Sequence, residues 1–172
     1  MRKYLYGIDP SMKCTGVELF DMETFEPIFN TSIQTKDKDT HGVRLGQIKK
    51  FLEDLMEKYP PKEVAIERGF SRFNNSTQVT YRVHGVINET FKHLDQKYYP
   101  SKKVKAAVAT GNATKKVVRE RISVVFPHII FNNDDESDAC ATGITHLVEK
   151  YGYDFKKAYK EAKKNNTKKI PL

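Results

Sequence analysis

The sequence has no tryptophan and only two cysteines, Cys14 and Cys140, in 172 residues. Two thiols that far apart do not make a disulfide scaffold, so both read as reduced residues in apolar or helical settings. Long hydrophobic runs are missing too. No stretch approaches the roughly 20 consecutive apolar residues that cross a bilayer, and the N-terminus lacks the apolar core of a secretion signal. These shortages point to a soluble, cytoplasmic protein with no membrane partner. Acidic charge is the third shortage: 22 Asp and Glu stand against 30 Lys and Arg, a formal net charge of +8. Lysine-rich surfaces are common, so the excess is weak by itself, but it favours a polyanionic partner over an acidic one.

What is present is the composition of one globular domain, 38% hydrophobic and long enough for a real core. The positive excess is uneven. Eight lysines crowd residues 150–172 against Asp154 and Glu161. The chain therefore divides into a main body over 1–150 and a basic C-terminal helix and tail over 151–172 of the same domain. That end reads either as an arm on nucleic acid or as a solubilising terminus.

Strand patterns open the chain at 3–9 ("KYLYGID"), 14–21 ("CTGVELFD") and 27–35 ("PIFNTSIQT"). Val43, Ile48, Phe51, Leu52 and Leu55 recur with helical spacing over 43–58, and "YPP" ends that helix. A short strand, "EVAIE" (63–67), follows, then a second amphipathic helix carrying Val79, Val83, Val86, Ile87, Phe91 and Leu94. Helices are expected from Ser101 and from about Thr114, on either side of a Gly-Asn break at 111–112, with a last extended piece in "HIIF" (128–131). "NNDDESDACATGITHLVEKYG" reads as a helix capped by Asn132 or Asn133. The order predicts an α/β fold with a mixed sheet between helices. Because a helix separates the third and fourth strands, 3–9 and 63–67 can be parallel neighbours.

Asp9 and Glu67 each end one of those strands, so adjacency would bring both carboxylates to the sheet edge where α/β ligand sites gather. Alone, Asp9 also reads as a turn-capping residue before Pro10, and Glu67 as an exposed strand-end acid. Two such acids repel each other unless a cation joins them. Asp135 and Asp138, or Asp134 and Asp138, share a helix face three or four residues apart. Acids in a first helical turn also serve the helix dipole, but Asp138 leads into the core-like "ACATGITHL" and needs a partner there. Hard oxygen ligands without a Cys/His pairing suit Mg²⁺ or Mn²⁺ rather than Zn²⁺. Such a cluster can hold two cations about 4 Å apart and hydrolyse a phosphodiester.

With those acids in place, four pieces in order resemble the RuvC-type Holliday-junction resolvases of the ribonuclease H-like superfamily: "GIDPSMKCTG" (7–16), "VAIERGF" (64–70), "VKAAVATGNATKK" (104–116) and "DESDACATGITHL" (135–147). The resemblance runs over about residues 3–149. It implies a mixed five-stranded sheet flanked by helices on both faces, and a nuclease domain over 1–150. It makes Asp9, Glu67, Asp135 and Asp138 the catalytic and metal-binding carboxylates, with two Mg²⁺ or Mn²⁺ per site and no nucleotide cofactor. It places Phe70 against unstacked bases at the crossover, and Lys105 with Lys115 or Lys116 near the scissile phosphate. Arg82 and His84 resemble the polar end of a dimer-side helix. Ser11 replaces a glycine common after "DP", the loop before Lys115 is shorter than in many relatives, and "HG" stands for a second Arg-Gly. These departures bear on sequence preference and would suit a divergent, phage-encoded member.

The expectation is a homodimeric endodeoxyribonuclease that binds branched DNA, chiefly four-way junctions, and nicks two strands to leave 5′-phosphates. A flap- or fork-cutting debranching enzyme is the near rival. A silent junction-binding protein is more distant, and so is an actin-like or sugar-kinase ATPase, which would need a second comparable domain.

Overall fold

The computed structural model describes residues 3–69 and 75–167. Strands β1 (Tyr4–Asp9), β2 (Cys14–Asp21) and β3 (Pro27–Gln34) form an antiparallel meander. Helix α1 (His41–Lys58) then crosses to β4 (Pro61–Arg68), which pairs parallel to β1. Helix α2 (Asn75–Thr90) leads to β5 (Asp95–Pro100), parallel to β4. Four helices follow among the described residues: α3 (Ser101–Val108), α4 (Lys115–Val125), α5 (Asp134–Tyr151) and α6 (Phe155–Thr167). The sheet order is β3-β2-β1-β4-β5, a mixed five-stranded sheet. Among the described residues no helix is long and apolar enough to cross a membrane.

Each face of the sheet buries its own core. Tyr6, Ile8, Val17, Leu19, Val64 and Ile66 face Ile48 and Leu52 of α1 and Val83 and Ile87 of α2. On the other face Leu5, Phe20, Ala65 and Tyr99 pack with α3, α4 and α5, and Phe155 of α6 joins them. The alternation of strand side chains is what sorts one strand into two cores. Helix α5 is nearly all buried through its middle, from Ala139 to Leu147. It lies so close to the sheet that a Cβ on Gly7 would meet the Ala139 carbonyl oxygen at 2.3 Å, and one on Gly16 the Asp135 carbonyl oxygen at 2.2 Å.

Two expectations fail here. "HIIF" (128–131) is not a strand; Ile129 and Phe131 are buried and Ile130 is 78% exposed, an alternation that plugs the core beneath α4 without a pairing partner. The fifth strand is instead "DQKYYP" (95–100), an edge strand with the polar faces and terminal proline that such an edge tolerates. Accordingly α2 stops at Thr90, and Leu94 sits in the turn that follows. At the start of α5 the helix cap is Asn133, whose side chain accepts from the Glu136 N–H, rather than Asn132.

Candidate active site

The C-terminal ends of β1 and β4 lie side by side because Ile8 pairs with Ile66 one residue before Asp9 and Glu67. Across β1's other edge Asp9 pairs with Gly16, and the backbone of Asp135 rests directly over that glycine. The first turns of α5 thus close over the strand ends. Asn133 caps the helix, while the Glu136 carboxylate folds back to accept from the Asn132 N–H at 2.7 Å and from Ser32 at 2.9 Å. This reciprocal capping pins the helix start to β3.

The four expected carboxylates converge electrostatically. Burial, then Glu67, Asp138 and Asp135, push the Asp9 carboxyl well above the usual range. Burial and Asp138 raise Glu67 to about 7. Asp138 is raised as well, by burial first, although the Lys115 ammonium opposes the shift. The positive end of α5 eases these charges but does not remove the conflict. Asp134, by contrast, is turned to Arg119, 3.8 Å away, and does not figure among the groups acting on Asp9.

The basic residues separate in the same way. Lys115 is ion-paired with Asp138, and Lys105 lies near enough to Glu67 to lower its pKa. Lys116 is exposed and leans on Glu120 at 3.9 Å, one turn along its own helix. Phe70 lies outside the described residues. Arg82 meets His41 Nδ1 at 2.5 Å, while the buried His84 ring accepts from the Gly69 N–H at 3.3 Å and so braces the chain just after β4.

Sequence reasoning missed three supporting groups. Ser101, at the start of α3, donates to Glu67. Cys14, pushed up to about 12 chiefly by burial, hydrogen-bonds with Asp135 rather than serving only as core. Arg44 is buried and donates to Thr35 Oγ1 at 2.7 Å and to the Met12 carbonyl at 3.2 Å, locking the turn that follows Asp9. Only Ser101, directly after Pro100 where a helix begins, carried a readable signal.

Can this donor set hold a cation? Among the described residues no three Asp, Glu, His or Cys side chains already stand at ligand spacing. The chemistry nonetheless fits: hard oxygens, carboxyls raised by burial and then by one another, and the Lys115 ammonium supplying positive charge at the cluster. Asp9, Glu67, Asp135 and Asp138 are the residues that would hold divalent metal.

The sequence profile described as "Crossover junction endodeoxyribonuclease RuvC" matches residues 5–146. This chain belongs to the RuvC family. A RuvC from Orientia tsutsugamushi (strain Boryong) is 31% identical over 150 residues, covering 84% of this chain and 94% of that one. A RuvC from Caldanaerobacter subterraneus is 31% identical over 161 residues, covering 86% and 96%. Among solved structures, Thermus thermophilus RuvC superposes with a TM-score of 0.73 at 20% identity, covering 87% of this chain and 96% of that one. The yeast mitochondrial Holliday junction resolvase Ydc2 gives 0.60 at 12% identity, covering 98% and 85%. These structures share the fold.

Proposed function

We propose that the protein is a structure-selective endodeoxyribonuclease that binds four-way junctions as a homodimer and resolves them by paired, metal-dependent nicks. The observation that carries the reading is the convergence of Asp9, Glu67, Asp135 and Asp138 at one sheet edge of a RuvC-family chain of formal charge +8. The junction itself enters from the relatives: a T. thermophilus RuvC structure is described as a complex with Holliday junction substrate. A junction has two-fold symmetry, so a dimer puts one acid cluster on each of two opposed strands.

Bound divalent metal, two ions as Mg²⁺ or Mn²⁺, would activate the attacking water and offset charge on the leaving oxygen. The chain's own groups do the rest. Asp9 and Glu67 hold their carboxylates rigidly, being strand ends, and Asp138 follows from the buried helix. Lys115 and Lys105 bring ammonium groups to the scissile phosphate, where charge develops. Phe70 is assigned to the unstacked bases at the crossover. The products are a 5′-phosphate and a 3′-hydroxyl.

A cleavage panel of four-way, three-way, flap and linear DNA with mapped cuts tests this. Symmetric paired nicks in the four-way substrate, abolished by EDTA and lost in Asp9→Asn with binding retained, are expected. Equal cutting of flaps and forks would give the debranching reading instead, and cutting by Asp9→Asn would remove the catalytic assignment.

A further inference from the structure

Helix α6 begins beyond residue 146, where the match to the family profile ends. It is docked rather than trailing. Phe155 is buried against Phe126 with ring centroids 6.2 Å apart, and the Arg121 guanidinium lies 4.8 Å over the Tyr159 ring. Four residues forward along α6 match five backward along α4, so the two helices run antiparallel. Because α4 starts at Lys115 in the carboxylate site, α6 climbs from the far end of the molecule toward that edge.

The helix is two-sided. Phe155, Ala158, Tyr159 and Ala162 turn inward, while Lys156, Lys157, Lys160, Lys163 and Lys164 are exposed. The helix itself carries one acid, Glu161. Lys156 and Lys160, and Lys160 and Lys164, stand at the four-residue spacing where like charges weaken a helix. A docked helix with such a face attracts a polyanion whatever its sequence. The lysine face stops at the start of the helix: the cleft of about 240 Å³ between α3, α5 and α6 is lined by Glu149 and Asp154 as well as by Lys103 and Lys156, and Lys103 is ion-paired with Glu149.

We propose that the lysine face of α6 binds the phosphate backbone of a duplex arm leaving the active site, an inference that rests on the junction reading above. At 1.5 Å per residue the helix is about 20 Å long, which matches roughly half a turn of duplex. Its contribution is sequence-independent, because phosphates carry no base identity.

The test uses the full chain in EDTA, with fluorescent four-way junctions of long and short arms and a linear duplex, titrated at several salt concentrations. In one variant all five exposed lysines become Gln; in a second they become Arg. The Gln variant should keep its melting temperature, lose ~10–100-fold affinity for the long-armed junction and show a salt slope shallower by about 3. Its affinity for the short-armed junction should hardly change, and the Arg variant should behave as the parent. Should the five-fold Gln protein not fold, Lys160→Gln with Lys164→Gln carries the same test at a slope change of about 2. An unchanged slope in the Gln proteins, or a parent indifferent to arm length, overturns the proposal. A parent that binds four-way and linear DNA alike while the Gln variant still loses slope would defeat the junction reading and leave α6 as a duplex-binding surface.

Discussion

Lys115 and Asp138 form an ion pair that joins the first residue of α4 to the second turn of α5 inside the carboxylate cluster. Burial works against the Lys115 charge, yet Asp138, Asp9 and Asp135 together hold its pKa above the ordinary value. Lys115 is thus the cation already resident among the acids, whereas Lys116 faces solvent. Lys115→Met is expected to lower junction cleavage by about 100-fold with modest loss of binding, and Lys116→Met by only a few-fold. Single-turnover rates at saturating enzyme measure both. Equal effects would return the choice between the two lysines to open ground.

Metal should be visible without catalysis. Burial, with Asp138 beside it, holds Glu67 at about 7, and burial, with Glu67, Asp138 and Asp135 around it, holds Asp9 well above the usual carboxylate range. A carboxyl raised in the folded state stabilises it fully below its unfolded value near 4.5 and loses that contribution as pH rises through 7. Mn²⁺ or Mg²⁺ at about 100 times its dissociation constant should restore about 2.7 kcal/mol, a rise of roughly 5–10 °C in melting temperature at pH 8. At pH 5, where protons compete, the rise should shrink. Asp9→Asn should melt higher than the parent without metal and respond little to it. Scanning calorimetry with and without EDTA decides; a full metal response in Asp9→Asn would exclude Asp9 as a ligand.

A second buried acid stands apart from the site. Glu18, in the middle of β2 beneath α5, is fully buried, with no charged partner for its carboxyl among the described residues. Burial lifts it to about 8, and the Cys140 thiol, a weak donor, with the Phe29 and Leu19 backbones, only tempers the shift. The protein should therefore lose stability as pH rises from about 5 to beyond 8, where Glu18 must ionise in the core. Glu18→Gln should flatten the alkaline side of the melting-temperature profile while leaving cleavage within a few-fold of the parent. A parallel decline in the variant would acquit Glu18.

At the opposite end of β4, Glu63 has the reverse situation. It accepts from His146 Nε2 at 2.7 Å, from the Tyr151 hydroxyl at 2.6 Å and from Lys150 at 3.0 Å. Burial opposes ionisation, but these donors outweigh it and hold Glu63 at about 2. Burial keeps His146 below its ordinary value, so the ring is neutral: Nε2–H donates to Glu63 and Nδ1 accepts from the Tyr99 hydroxyl at 2.9 Å. The lowered Glu63 pKa stabilises the fold above about 4.5, and the contribution disappears as pH falls toward 2. Glu63→Ala should cost about 3 kcal/mol at pH 7 and less at pH 3, read by urea denaturation. A cost independent of pH would mean packing, not charge, is what Glu63 supplies.

The chemistry-bearing part of the fold was the more legible part. A helix between the third and fourth strands requires a crossover, and two strands that each end in an acid after an apolar run announce a shared edge; β1 and β4 are indeed parallel neighbours. The break at Gly111 and Asn112 and a helix from about Thr114 were equally plain, since glycine acts locally; the structure makes Thr114 the cap of that helix. What failed depends on partners distant in sequence. "DQKYYP" lacks an apolar stripe because only Tyr99 of its residues is buried, and its strand character comes from pairing with β4. "HIIF" has the stripe but pairs with no strand among the described residues. Asp134 and Asp135, or Lys115 and Lys116, differ by a 100° turn of helix that the sequence cannot orient: in the structure Lys115 pairs with Asp138 and Lys116 with Glu120, while Asp134 and Asp135 both act on Asp138 and Asp135 alone of the two on Asp9.

The seat of α5 on Gly7 and Gly16 has a consequence for how this enzyme can change. Two missing methyl groups set the gap between helix and sheet, and Asp135 and Asp138 ride on that helix while Asp9 rides on the sheet. The separation of the acids is therefore a packing dimension, not a property of the acids themselves. Drift elsewhere in the chain can reshape arms, loops and substrate choice, but an alanine at either glycine would jack the two halves of the reaction centre apart.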